Sequence, residues 1–224
     1  MALSLRIILN EKLYLKNPEE SLLGRKIVAE GLRLINTLGF EDFTFKKLAK
    51  EIETTEATIY RYFENKHRLL VYLVNWYWTY LEYKVTIQLN NIVEPKEKIK
   101  KVISALVIPA SNLFSDVFIE EKAVFDLVMY EGSKSYLTRN VKDNNKDNLF
   151  KPYKDLCARI SLVISELNPK YKYPHSLACT LLEMSHTQKF FKINLPSLTD
   201  FSKDKSDASL IDFLEKLVFD TLKK

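Results

Sequence analysis

The chain has 224 residues, 46% of them hydrophobic and 28% charged, which suffices for a buried core and excludes a disordered chain. Only four glycines occur, too few for a fold built on many tight turns with positive φ, so an all-α chain is expected. The net charge of +5 is too small to mark nucleic-acid binding by bulk field alone, and leaves room for a local basic face.

The apolar patch in residues 1–10 is short, is interrupted by Arg6 and is not followed by a small-residue cleavage site, so no signal peptide is expected. Arg6, Lys12 and Lys16 read as part of a solvated N-terminal extension rather than a DNA-seeking arm. The first helix is expected to open at Asn17-Pro18-Glu19-Glu20, where Asn17 can cap and Pro18 suits the first helical position. Ile27, Val28, Gly31, Leu34, Ile35 and Leu38 then recur at helical spacing, and Gly39 is placed to end the helix. Thr44 caps a short helix from Phe45 to about Ile52, burying Phe45, Leu48 and Ile52. After a turn at Glu53-Thr54, Thr55 caps a second short helix, Glu56 to Tyr62, with Ala57 and Ile59 inward. Asn65 caps a long helix starting at Lys66, whose apolar positions include Leu69, Leu70, Leu73, Trp76, Tyr77, Tyr80 and Leu81.

Further on, Pro95 opens a helix that Pro109 ends or kinks. A helix from Phe118 to Glu131 stops before Gly132, and the polar stretch Asn140 to Asn148 reads as a loop. Tyr153 to Leu167 is helical up to Asn168-Pro169. Two more helices are expected at about Pro174–Asn194 and Ser206–Leu222, the last capped by Ser206. No run approaches the ~20 apolar residues that span a bilayer, so no membrane partner is expected. The chain is read as an N-terminal domain of residues 1–70 followed by a helical domain of residues 71–224.

Two short helices joined by a tight turn fit a helix-turn-helix. The second helix must be slim at its N-terminal face to enter a major groove about 12 Å wide, and Thr55, Ala57 and Thr58 meet that requirement. Tyr60, Tyr62 and Lys66 are candidates for phosphate contacts, as are the amides that open the helix at Lys66. Arg61 is the candidate for a bidentate contact to a guanine edge. With Thr44, the expected DNA-binding set is Thr44, Thr55, Thr58, Tyr60, Arg61, Tyr62 and Lys66. Charge gives weaker support, because residues 1–70 hold 12 Lys and Arg against 10 Asp and Glu, a net of 12 − 10 = +2. Affinity then depends on where the charges lie.

This arrangement resembles the tetracycline-repressor (TetR) family. The resemblance is carried by Leu38-Gly39-Phe40, by Phe43-Thr44-Phe45-Lys46-Lys47-Leu48-Ala49, and by the run from Thr58 to Leu70, in which Tyr60, Tyr62, Phe63, Lys66 and Leu69 hold a specific spacing. It covers about a quarter of the chain. Where the family carries glycine in the turn, this chain has Glu53. Either the turn is reshaped or a left-handed Glu53 is held at a cost of roughly 1–2 kcal/mol. The resemblance implies a homodimer that pairs through its last two helices and binds palindromic double-stranded DNA. It also implies a C-terminal pocket for a small apolar or aromatic effector that releases a repressor from DNA. Candidate pocket residues are Trp76, Tyr80, Phe114, Phe118, Phe125, Tyr130 and His186, although the aromatic run from Trp76 to Tyr80 reads first as core.

Other chemistries are poorly supported. Glu64-x-x-His67 and Glu183-x-x-His186 have the spacing of a di-iron bundle, but the first straddles a helix start in the DNA head, so the pair cannot share a core and no metal is expected. No glycine-rich phosphate loop or nucleophile–base arrangement stands out, so neither a cofactor nor an enzyme is expected. The two cysteines, Cys157 and Cys179, read as small hydrophobes in a reduced, cytoplasmic setting. The rival reading is a helical module that holds a lipid or protein partner and has no DNA function.

Overall fold

The computed structural model describes residues 7–109, 118–139 and 141–223. Among the described residues ten α-helices follow in chain order: α1 Leu22–Leu38, α2 Phe45–Glu51, α3 Glu56–Tyr60, α4 Lys66–Leu89, α5 Pro95–Val107, α6 Glu121–Glu131, α7 Val141–Lys146, α8 Lys151–Leu167, α9 Pro174–Asn194 and α10 Ala208–Leu222. Short 3-10 turns punctuate them, and the described residues contain no strand. Packing divides the chain into two compact units, residues 1–78 with 111–151 and residues 79–110 with 152–224.

Local chemistry explains most boundaries. Asn17 accepts from the Glu19 amide at 3.0 Å, but the turn it caps, Pro18–Glu20, is only a 3-10 turn. Ser21 then adopts an extended conformation and caps α1, its hydroxyl accepting from Gly24 N at 3.0 Å. The expected opening at Pro18 is therefore corrected to Leu22. The extended Ser21 breaks the helical path, and the Pro18 backbone folds onto Gly24, where a Cβ would lie 2.3 Å from Pro18 O. At the other end of α1, Gly39 takes φ 79 and its amide returns to Ile35 O.

In the first unit, α1, α2, α3 and the start of α4 bury Ile27, Val28, Ile35, Phe43, Leu48, Ile59, Phe63, Leu69 and Leu70 against one another. Asn36 Nδ2 donates to Ala123 O at 2.7 Å and Phe40 N to Glu131 Oε1 at 3.0 Å, so α6 is tied to α1 and to the loop before α2. The N-terminal segment is also part of this unit. Leu13 is buried, Lys12 pairs with Asp147 at 2.7 Å, and the Leu15 amide donates to Tyr62 O at 2.8 Å. Residues 7–16 thus pack on the unit through Ile7, Leu9 and Leu13, while Lys12 and Lys16 stay exposed; Arg6 lies outside the described residues.

Two further expectations change. Val141–Lys146 is helical despite its polar composition, because Asn144 is buried and accepts from Arg68 at 3.4 Å. The α6 helix starts at Glu121 rather than Phe118.

The second unit packs α5, α8, α9, α10 and the last turns of α4 around Ile99, Ile103, Leu106, Leu156, Ile160, Ile164, Leu181, Leu182, Leu214 and Val218. Buried Lys84 donates to Ala105 O and Ile108 O at 3.2 and 2.7 Å, supplying a cation at the C-terminal end of α5. The α10 helix opens after Asp207 rather than at a Ser206 cap; in the turn that leads into it Ser206 Oγ accepts from Ala208 N and Asp204 Oδ2 from Ser209 N. The Ser209 amide, together with the Ser206 amide and hydroxyl, holds the Asp204 carboxyl below the usual carboxylate range. No described helix is long and apolar enough to cross a membrane.

Candidate nucleic-acid interface

The helix-turn-helix is assembled by local hydrogen bonds. Thr44 Oγ1 accepts from Lys47 N at 3.2 Å and opens α2. At the end of α2 the Thr54 amide reaches back to Ala49 O at 2.9 Å and the Glu53 amide to Lys50 O at 3.4 Å. That is the Schellman pattern, and its left-handed position is filled by Glu53 at φ 57. The turn is therefore not reshaped: Glu53 occupies the conformation glycine usually takes. Thr55 Oγ1 accepts from Thr58 N at 3.2 Å and opens α3, and its hydroxyl lies 3.0 Å from that of Thr58.

The α3 helix is five residues long. Its one buried residue, Ile59, anchors it on the core, while Thr55, Glu56, Ala57, Tyr60 and Arg61 are exposed and Thr58 is half-buried. Ala57 was expected inward and instead faces out. Tyr60, 47% exposed, rests edge-on against buried Phe45 with ring centroids 5.1 Å apart, so its position is set while its hydroxyl end stays accessible.

Two residues expected at phosphate have other partners. Tyr62 is 4% exposed and its hydroxyl lies 2.9 Å from Ser21 Oγ. Lys66 turns its ammonium to the carbonyls of Phe40, Glu41 and Phe43, at 2.9, 2.9 and 3.1 Å, and lies 4.8 Å from the centre of the Phe40 ring. An ammonium has three donors, and all three are used here. Both side chains brace the loop and helix that frame α3. At the start of α4, the Arg68 amide bonds to the Asn65 side chain at 2.9 Å.

The charges sort by position. Among the acids nearby, Glu41 pairs with Lys134, Glu51 with Arg33, and Glu64 with Arg68. Lys134 holds the Glu41 carboxyl below its ordinary range. On α2 the exposed cations are Lys46, Lys47 and Lys50, with Lys47 reaching Asp42 O at 2.7 Å. Sequence reasoning passed over these lysines. They occupy the positions of α2 that alternate with buried Phe45, Leu48 and Ala49, so the helical period would have found them.

The candidate effector residues fall in both units. Trp76, Phe125 and Tyr130 belong to the first; the first two are buried, whereas Tyr130 is half-exposed at 47%. Phe118, in the same unit, is half-buried, and Phe114 lies outside the described residues. Tyr80 and His186 are buried in the second unit. His186 Nδ1 lies 2.8 Å from Leu182 O, and burial lowers the imidazole pKa. The two Glu-x-x-His motifs are likewise split, Glu64 and His67 in the first unit and Glu183 and His186 in the second.

Residues 27–73 match the family model "Bacterial regulatory proteins, tetR family". A comparison with curated proteins finds no match. Among solved structures, AibR in complex with isovaleryl coenzyme A and operator DNA is similar at a TM-score of 0.60 and 17% identity, over 87% of this chain and 98% of that one. The fatty acid degradation regulator FadR from Bacillus halodurans is similar at 0.58 and 18%, over 88% and 98%. A tetR-family regulatory protein from Rhodococcus RHA1 is similar at 0.63 and 11%, over 90% and 97%. The helix-turn-helix of residues 27–73 therefore belongs to the TetR family of bacterial regulatory proteins, and the chain that carries it has the fold of those regulators.

Proposed function

We propose that this chain is a transcriptional regulator that binds palindromic double-stranded DNA as a homodimer and is released by a small effector. The observation that carries the reading is the form of α3, a short capped helix that turns Thr55, Ala57, Tyr60 and Arg61 outward within a TetR-family helix-turn-helix. A slim N-terminal face suits a major groove, and Arg61, just beyond the last turn, is assigned to a base edge. Thr44, Thr55, Thr58 and Tyr60 supply hydroxyls for phosphate or base contacts. Lys46, Lys47 and Lys50 supply the cations for the flanking backbone, the role that the first helix of such a motif plays. Tyr62 and Lys66 are reassigned to holding the motif in shape.

A single five-residue helix makes few contacts, so a dimer placing two helices in successive grooves is needed for useful affinity. The last two helices are assigned to that pairing. For the effector, the similar AibR structure holds isovaleryl coenzyme A, which supports an acyl thioester with a small apolar acyl group as the class to test first. Continuous α4 begins beside the helix-turn-helix and supplies residues to both compact units, and is assigned to carrying the effector's signal. The ligand must favour one state by a few kcal/mol to shift the population.

Selection of bound fragments from random DNA at moderate salt tests the reading. Recovery of an inverted repeat is expected, with its spacing reporting the distance between recognition helices. Failure of a folded, ligand-stripped protein to enrich any sequence would overturn DNA binding. Equal DNA affinity with and without a bound effector would overturn the release mechanism for that compound.

A further inference from the structure

Within the second unit, Cys157 on α8 and Cys179 on α9 place their sulfurs 3.0 Å apart, both as free thiols. A disulfide bond is about 2.05 Å long, so the two sulfurs lie about 1 Å beyond bonding distance. Their surroundings differ. Cys157 is buried, whereas Cys179 is half-buried and lines an open groove of about 450 Å³ with Thr180, Glu183, Met184, Thr187 and Gln188. Beside them the Tyr153 hydroxyl bonds to Glu183 Oε1 at 2.8 Å. Burial, and then the hydrogen bond with Cys179, pushes the Cys157 thiol far up. Cys179 is thus the sulfur a small oxidant reaches first in a protomer whose α9 is not covered by a partner, and Cys157 the one in position behind it.

We propose that Cys157 and Cys179 are a modification site, joined reversibly as a disulfide by a peroxide-class oxidant so that α8 is stapled to α9. In the first step the Cys179 sulfur attacks one peroxide oxygen and the O–O bond breaks. One hydroxyl leaves as water or an alcohol, and Cys179 becomes a sulfenic acid. In the second step the Cys157 sulfur attacks the sulfenic sulfur, the S–S bond forms and water leaves, taking the Cys157 proton. The two thiols lose two electrons and two protons in all, and the peroxide takes them up. A dithiol reductant reverses the change by exchange.

The test uses the full chain, purified reduced, exposed to hydrogen peroxide and quenched by alkylation. Intact mass should fall by two hydrogens and both thiols should become unreactive to the alkylating agent. A denaturing non-reducing gel should show a single-chain band, and peptide mapping should link Cys157 to Cys179. Closing a loop of this length should raise Tm by roughly 5–10 °C, a rise that dithiothreitol removes. In Cys157→Ser, Cys179 should stall as a sulfenic acid that dimedone traps. Chains linked to one another through Cys179, oxygen accumulating on wild-type Cys179 as fast as in Cys157→Ser, or thiols that stay reduced would each overturn the proposal. These readouts are of mass and melting, so they stand apart from the DNA reading.

Discussion

Lys66→Met separates the two roles that this lysine can have. Methionine keeps most of the apolar stem over the Phe40 ring and removes the ammonium. The carbonyls of Phe40, Glu41 and Phe43 then lose a charged donor that now lies within 2.9 to 3.1 Å of each. A hydrogen bond to a charged group contributes about 1.5–3 kcal/mol. Three of them from one ammonium do not add, and Lys66 is only half-buried, so water replaces part of the loss. The expected cost is about 2 kcal/mol, read as a fall in Tm of roughly 4–8 °C for a chain of this size. DNA binding by the folded variant should weaken, because the loop that frames α3 loosens, yet the slope of log affinity against log salt should not change. A lysine on phosphate would behave in the opposite way, leaving melting alone and reducing the slope by about one unit. Circular-dichroism melting and a salt titration of fluorescence anisotropy measure the two quantities. An unchanged Tm with a reduced slope would refute the bracing role and return Lys66 to the phosphate.

Glu53→Gly should raise stability by about 0.5–1 kcal/mol, since relief of a left-handed conformation exceeds the added flexibility of glycine in the unfolded chain; a fall on thermal denaturation would show that Glu53 at φ 57 is supported elsewhere. Gly24→Ala should cost about 1–3 kcal/mol, because the new methyl meets the Pro18 backbone rather than a side chain that can move aside; an unchanged melting curve would mean that the Pro18 turn shifts freely. Arg61→Ala should lose about 1–3 kcal/mol at one base position in a selection experiment, and a uniform loss over all sequences would move Arg61 to the phosphate backbone. For His186, burial holds the folded imidazole below its ordinary value of 6.5, so the unfolded chain binds the proton more readily. Its contribution is present above that value and is lost as pH falls below it toward the folded pKa. Melting followed from neutral to mildly acidic pH should therefore show a destabilisation that His186→Gln reduces, and equal pH profiles would dismiss it.

What the sequence determined by itself was the helical class, nearly every helix and the helix-turn-helix. These rest on interactions that span three or four residues. Thr44, Thr55 and Asn65 cap the helices they precede, each through an amide three positions on. Gly39 and Glu53 take the positive φ that their places in the pattern require. The tertiary structure decided where long side chains end. Lys66 and Tyr62 look alike in sequence to Lys46 and Tyr60, but the first two reach carbonyls and a hydroxyl 23 to 41 residues away, while the second two stay at the surface. Composition also misread residues 141–146, where burial of Asn144 outweighs a polar, loop-like sequence. The joining of residues 111–151 to the N-terminal unit and the meeting of Cys157 with Cys179 were hidden for the same reason. Each is settled by packing between helices distant in the chain, and no local pattern reports that.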